Sequence, residues 1–174
     1  EPVLKPIEGS QLIYIDFSED DFKLGGSSFA QTLNQLGNEA PRIKDAKKFG
    51  LVFNAVQDLI IKDKLLAGHD ISAGGMVTTL LEMCFPETSV GLSVDLSQLN
   101  AKDDIQLLCG CPRQISMMVT RHQHTPVDVA HSTINNCVQS VTHVHIQRRE
   151  PCYICMYIHS YTRTSLHPRR FQMP

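Results

Sequence analysis

Gly68–Phe85 reads GHDISAGGMVTTLLEMCF. His, Asp and Ser fall within four residues, two glycines follow, and an apolar run closes the segment. Leu65–Ile71 has the composition of a short strand, and Met76–Phe85 carries the three- and four-residue spacing of a helix buried through Met76, Val77, Leu80, Leu81 and Cys84. A strand that turns through glycines into a helix is the basic unit of an α/β fold. Asp70, Ser72, Gly74 and Gly75 fall at that turn, outside the carboxyl end of the strand, where ligands of open α/β sheets gather.

The residue types suit an anion accompanied by a hard cation. Asp70 offers a carboxylate of the kind Mg²⁺ prefers, usually shared with substrate phosphates. Ser72 can give a hydroxyl to a phosphate or cap the coming helix. Gly74 and Gly75 let backbone N–H groups approach an anion, and the helix N-terminus adds its dipole. A cap, a tight turn and a core helix explain the same residues without any ligand. His69 is read as packing or hydrogen-bonding rather than catalysing.

Outward from this segment the same strand–helix rhythm recurs. Leu12–Phe17 is β-branched and aromatic, as a strand requires. Ser27 or Ser28 is placed to cap a helix through Phe29, Leu33 and Leu36, ended by Gly37 and Asn38. Its LGGSS lead is read as cap and turn in preference to a phosphate cradle, and Glu19, Asp20 and Asp21 as a solvated acidic loop. Asp45 is placed to cap a longer helix with Phe49, Phe53, Val56, Leu59 and Ile60 on one face. Val90–Leu96 alternates like a strand. Further on, Asn100 is a candidate cap for a short helix to Leu108. Strands are expected at Ile115–Thr120 and Val141–Gln147, with a helix over Pro126–Val138. The expectation is an α/β (α+β) chain with a mixed sheet and packed helices.

Composition changes near residue 105. All eight lysines lie at or before Lys102, seven of eight arginines at or after Arg113, and seven of eight histidines beyond residue 120. Five of the six cysteines follow residue 108, and only two of eighteen acidic residues follow Asp104. Residues 1–105 are therefore read as one domain. Residues 106–174 are an atypical continuation, for which a second module, a diverged end and an out-of-frame stretch all stand open. Within it Cys152, Cys155, His159 and His167 offer an incomplete zinc pattern, because structural zinc takes four ligands, commonly as two close pairs. The strand expected at Val141–Gln147 puts His143 and His145 on one face, a weaker pair still.

A net charge of −2 gives no case for nucleic acid, and no apolar run approaches the roughly 20 residues that cross a bilayer. The opening EPVLKPIEGS lacks the basic and apolar regions of a secretory signal. The expected location is therefore the cytoplasm, and the missing initiator Met suggests a piece of a longer chain.

Ile15–Glu39 (IDFSEDDFKLGGSSFAQTLNQLGNE), Phe53–Ile60 (FNAVQDLI) and Leu65–Phe85 (LLAGHDISAGGMVTTLLEMCF) together resemble the large single-chain form of phosphoribosylformylglycinamidine synthase. The similar stretch, roughly residues 8–97, corresponds to the C-terminal half of its second aminoimidazole-ribonucleotide-synthetase-like unit. The order LGGS, then about forty residues, then HDxSxGG and LLEMxF carries the resemblance. It implies an aminoimidazole-ribonucleotide-synthetase C-terminal-domain-like fold. It also implies part of a purine-pathway ligase that joins nitrogen from glutamine to formylglycinamide ribonucleotide, using ATP to phosphorylate the acyl oxygen before ammonia displaces the phosphate. In that family the HDxS Asp ligates Mg²⁺ and the Ser contacts a nucleotide, ATP or ADP, in an auxiliary site that stabilises the fold. Asp70 and Ser72 stand at those positions. Ala73 stands where the family usually has a second acidic residue.

The resemblance makes the nucleotide, the purine-pathway ribonucleotide and the remaining domains of the same enzyme the expected partners. The first synthetase-like unit, the other half of the second, and the glutaminase domain are not among these residues. This piece is therefore expected to be inactive alone. The rival from another class is a non-catalytic α/β interaction or scaffold module with a basic Cys/His-rich tail.

Overall fold

A computed structural model describes residues 1–5, 7, 10–18, 21–86, 90–97, 99, 101, 103–110, 116–122, 138–141, 145–148 and 156–159. Its elements in chain order are β1 (Ser10–Asp16), α1 (Ser28–Thr32), α2 (Ala46–Ile61), β2 (Ala67–Asp70), α3 (Gly75–Cys84) and β3 (Val90–Asp95). There follow α4 (Asp104–Cys109), β4 (Ser116–His122), β5 (Val138–Val141), β6 (His145–Arg148) and β7 (Met156–His159).

Four strands form one sheet in the order β2-β4-β1-β5, every neighbouring pair antiparallel. β3 centres a second sheet, antiparallel to β6 and parallel to β7. The expected α/β architecture with packed helices is present, and the mixed pairing lies in the smaller sheet. The first sheet draws strands from both sides of residue 105, since β4 sits between β1 and β2.

Alternation along the strands sorts the core into two layers. Leu12, Tyr14, Ala67 and Met118 face one way. They pack with Met76, Leu80, Met83 and Cys84 of α3, Leu107 and Leu108 of α4, and Leu92 and Val94 of β3. Ile13, Ile15 and Val119 face the other way, onto Val52 and Val56 of α2. Phe49 extends that second layer, with its ring centroid 5.7 Å from Phe17. Each fully buried Leu, Met or Val in these layers stabilises the fold by about 1.5–3 kcal/mol relative to exposure.

Local signals explain the helix starts. The buried Ser27 hydroxyl accepts the Ala30 N–H at 3.1 Å and opens α1. Asp45 Oδ1 accepts the N–H groups of Lys47 and Lys48 at 2.9 and 3.1 Å and opens α2. Asp103, not Asn100, opens α4, accepting the Gln106 N–H at 2.8 Å.

Several elements differ from expectation. α1 stops at Thr32, and Leu33 and Leu36 are exposed beyond it. The chain turns through left-handed Asn34 and Gly37, and a five-residue helix gains too little from its own hydrogen bonds to continue unpacked. The buried stripe of α2 is Val52 and Val56 with Phe49 beside them, so Phe53 and Ile60 lie outward, together with Leu51 and Ile61. Within α3, Thr79 and Met83 join the buried side, whereas Val77 and Leu81 are only half-buried. The strand expected over Val141–Gln147 is two strands, β5 and β6, in different sheets. The helix expected over Pro126–Val138 lies outside the described residues except for Val138, which opens β5.

Among the described residues no helix is long and apolar enough to cross a membrane.

Candidate functional site: the turn from β2 to α3

β1 and β2 both run antiparallel to β4, so they point the same way and end at the same edge of the sheet. Asp16 closes β1 opposite Ser116, and Asp70 closes β2 opposite Met117. The two residues thus flank β4 at the carboxyl ends of their strands, with their side chains on opposite faces of the sheet. Asp16 Oδ1 accepts both the N–H and the hydroxyl of Ser18 at 2.8 Å, a local turn that fixes the exit of β1. The Asp70 side chain is 61% exposed and open to a ligand.

Beyond Asp70, Ile71 is fully buried and anchors the turn in the core. Ser72 follows, half-buried; its carbonyl accepts the Gly75 N–H at 3.0 Å, while its hydroxyl has no hydrogen-bond partner among the described residues. Gly74 is the N-cap of α3, and no side chain caps this helix. Of the two uses open to the Ser72 hydroxyl, capping is therefore not the one adopted. An uncapped helix start leaves N–H donors for water or an anion.

The two glycines do different work. A Cβ on Gly74 would meet only the Thr78 side chain, at 2.5 Å from its Oγ1. Gly75 has φ +77°, and a Cβ there would lie 2.5 Å from the Leu108 carbonyl oxygen and 2.7 Å from Cys109 Cα. Gly75 is buried where the start of α3 meets the end of α4. Its lack of a side chain is a packing requirement.

The LGGSS segment docks on this turn, with the Ser28 N–H donating to the Ala73 carbonyl at 2.8 Å. The cap-and-turn reading of that segment holds, since Ser27 caps α1 and Gly26 takes φ +77°. Behind it a cleft of about 240 Å³ is lined by Asp21, Phe22, Lys23, Gly25, Glu39 and Gln106 among others. Glu19 and Asp20 lie outside the described residues.

Sequence reasoning missed two groups beside Asp70. Thr79 Oγ1 lies 3.1 Å from the Asp70 carbonyl oxygen, and Glu82 Oε2 lies 3.4 Å from His69 Nε2. Their spacing of three puts both on one face of α3, which is the signal that would have found them. The two cysteines among the described residues are not poised as nucleophiles: burial pushes the Cys84 thiol up to about 11 and raises that of half-buried Cys109. Among the described residues no three His, Cys, Asp or Glu side chains converge on one point. Asp70 fits a cation as a single exposed ligand of a shared site, not as part of a complete cage. Cys152, Cys155, His143 and His167 lie outside the described residues.

Residues 8–129 match the family model described as AIR synthase related protein, C-terminal domain. The chain belongs to this family. Among curated relatives, a probable phosphoribosylformylglycinamidine synthase of Caenorhabditis elegans is 37% identical over 110 residues, covering 57% of this chain and 8% of that protein. An Arabidopsis thaliana relative, a probable phosphoribosylformylglycinamidine synthase described as chloroplastic/mitochondrial, is 42% identical over 86 residues, covering 49% and 6%. The chain thus spans less than a tenth of the length of these relatives. Among solved structures, Thermotoga maritima PurL complexed with FGAR superposes with a TM-score of 0.59 at 13% identity, covering 92% of this chain and 26% of that one. A HypE–HypF complex superposes with 0.57 at 12%, covering 99% and 54%. At such identities these two establish the fold alone, and they agree with the expected synthetase C-terminal-domain-like architecture.

Proposed function

We propose that this AIR synthase related C-terminal domain is a segment of a phosphoribosylformylglycinamidine synthase and forms one wall of a nucleotide site there. The turn itself carries the reading: an exposed Asp70 carboxylate, a Ser72 hydroxyl unengaged among the described residues and an uncapped α3 start stand together at the carboxyl end of β2. The curated relatives' names and the structure of T. maritima PurL complexed with ATP support a nucleotide as the ligand class.

On this reading Asp70 ligates Mg²⁺, which when bound neutralises phosphate charge. Ser72 donates its hydroxyl to a phosphate oxygen of ATP or ADP. Gly74 contributes backbone N–H, and Gly75 sets the direction of α3 so that its N-terminus faces the anion. Ala73 brings no carboxylate, so further cation ligands come from other parts of the enzyme. The complete ligase takes nitrogen from glutamine, works on formylglycinamide ribonucleotide and resides in the cytoplasm. Residues 1–105 supply most of the domain, and the atypical continuation 106–174 contributes β4 to its sheet. Leu51, Phe53, Ile60 and Ile61 of α2 are exposed, which supports contact with the enzyme's remaining domains.

Isothermal titration of the folded chain with Mg–ADP tests the site. Binding that disappears in Asp70→Ala supports the proposal. Binding that survives Asp70→Ala, or none by the folded wild type, counts against a nucleotide wall in this segment and favours a non-catalytic scaffold module.

A further inference from the structure

His69 has no place in the contacts assigned above, yet its ring is held from two sides. Nδ1 lies 2.8 Å from the carbonyl oxygen of Asp70 and 3.6 Å from Asp70 Oδ1. Nε2 lies 3.4 Å from Oε2 of Glu82 on α3. A carbonyl oxygen can only accept, so Nδ1 carries the hydrogen of the shorter contact. Oγ1 of the buried Thr79 lies within 3.1 Å of the same carbonyl oxygen. The last carbonyl of β2 is therefore approached by α3 directly through Thr79, and indirectly through Glu82 and the His69 ring.

The consequence falls on Asp70. An exposed Asp at a strand end ordinarily samples several χ1 wells, and a ligand that needs one of them must overcome that entropy. Here the main chain of Asp70 is pinned, and a ring nitrogen stands 3.6 Å from one of its carboxylate oxygens. The side chain of His69 is only 20% exposed, so the ring has little freedom to swing away.

We propose that His69 is a positioning residue: through its Nδ1–H bond to the Asp70 carbonyl it fixes the Asp70 main chain and restricts the orientations of the Asp70 carboxylate, presetting it for a divalent cation. The cation part rests on the nucleotide-site reading given above, whereas the restriction of Asp70 is measurable without any ligand.

The test uses isotope-labelled full-length chain in four forms: wild type, His69→Ala, His69→Asn and His69→Phe, the last keeping the ring without its N–H. Asn keeps an N–H near the position of Nδ1. Three-bond couplings give the Asp70 χ1 populations without metal, and line broadening of Asp70 by Mn²⁺–ADP is followed separately. One dominant rotamer is expected in the wild type, averaging in His69→Ala and His69→Phe, and recovery in His69→Asn. The Mn²⁺–ADP concentration for half-broadening should rise about 10-fold in His69→Ala and return toward wild type in His69→Asn. A purely structural role for His69 would not be rescued by Asn in this way. Unchanged Asp70 rotamers in His69→Ala, or in His69→Phe if His69→Ala fails to fold, overturn the proposal. Rotamers that respond as expected, with no broadening of the wild type by Mn²⁺–ADP, support the brace and defeat the cation reading of Asp70 alone.

Discussion

Replacing Gly75 by Ala should be among the most damaging single-methyl changes in the chain. The new Cβ would sit 2.5 Å from the Leu108 carbonyl oxygen and 2.7 Å from Cys109 Cα, both main-chain atoms that cannot rotate aside. The residue also holds φ +77°, a left-handed conformation that costs an L-residue about 1–2 kcal/mol. Separating α3 from α4 to relieve the overlap adds about 1–3 kcal/mol of lost packing, so about 2–5 kcal/mol in all. Gly50 supplies the opposite control. It lies within α2, and nothing comes within 4 Å of a Cβ built on it. Gly50→Ala should stabilise by about 0.5–1 kcal/mol, the usual gain of Ala over Gly inside a helix. Urea unfolding of the full chain reads both. With an m-value of about 2 kcal/mol/M, Gly75→Ala should lower the midpoint by about 1–2.5 M and Gly50→Ala raise it by about 0.3–0.5 M. A midpoint for Gly75→Ala within 0.3 M (roughly the error of such a fit) of wild type would refute the close approach of α3 and α4.

Asp45→Ala removes two bonds to the start of α2 and should destabilise by about 1 kcal/mol, read as a urea midpoint shift, whereas Asp45→Ser should recover most of it. Cys84 is a pH-dependent case. Its folded pKa of about 11 stands above the ordinary thiol value of 9.0, so the unfolded chain ionises first. Stability from this thiol is intact below pH 9 and is lost as pH rises toward 11, by about 2–3 kcal/mol. The urea midpoint of wild type should therefore fall over that window more steeply than that of Cys84→Ala.

The helix starts and most strands were legible because their causes are local. Ser27 and Asp45 are side-chain acceptors placed two or three residues before orphan N–H groups, and such caps need no tertiary partner. The α3 core face followed from spacing alone, give or take Val77 and Leu81. What stayed hidden depends on partners distant in sequence. The early end of α1 goes with Leu33 and Leu36 finding nothing to pack on among the described residues, which no window of sequence reveals. The outward turn of Phe53 and Ile60 is decided by which stripe of α2 meets Val119 and Ile13. At the candidate site, Asp70 and Ser72 were singled out from the HDxS pattern. Their neighbours Thr79 and Glu82 came into view only when β2 and α3 were folded together. Gly75 was read as making room for an anion, and its packing against α4 was invisible because residues 75 and 108 share no local pattern.

The seat of β4 between β1 and β2 has a bearing on how the chain acquires its shape. Ser10 pairs with His122, so β1 waits for almost the whole of the chain up to β4 before its central partner exists. Pairing of this kind has a high contact order and is slow to nucleate. A chain cut before Ser116 would leave β1 and β2 with no strand between them, each presenting bare edges to other molecules. Truncation at the compositional change near residue 105 should therefore yield an aggregation-prone product.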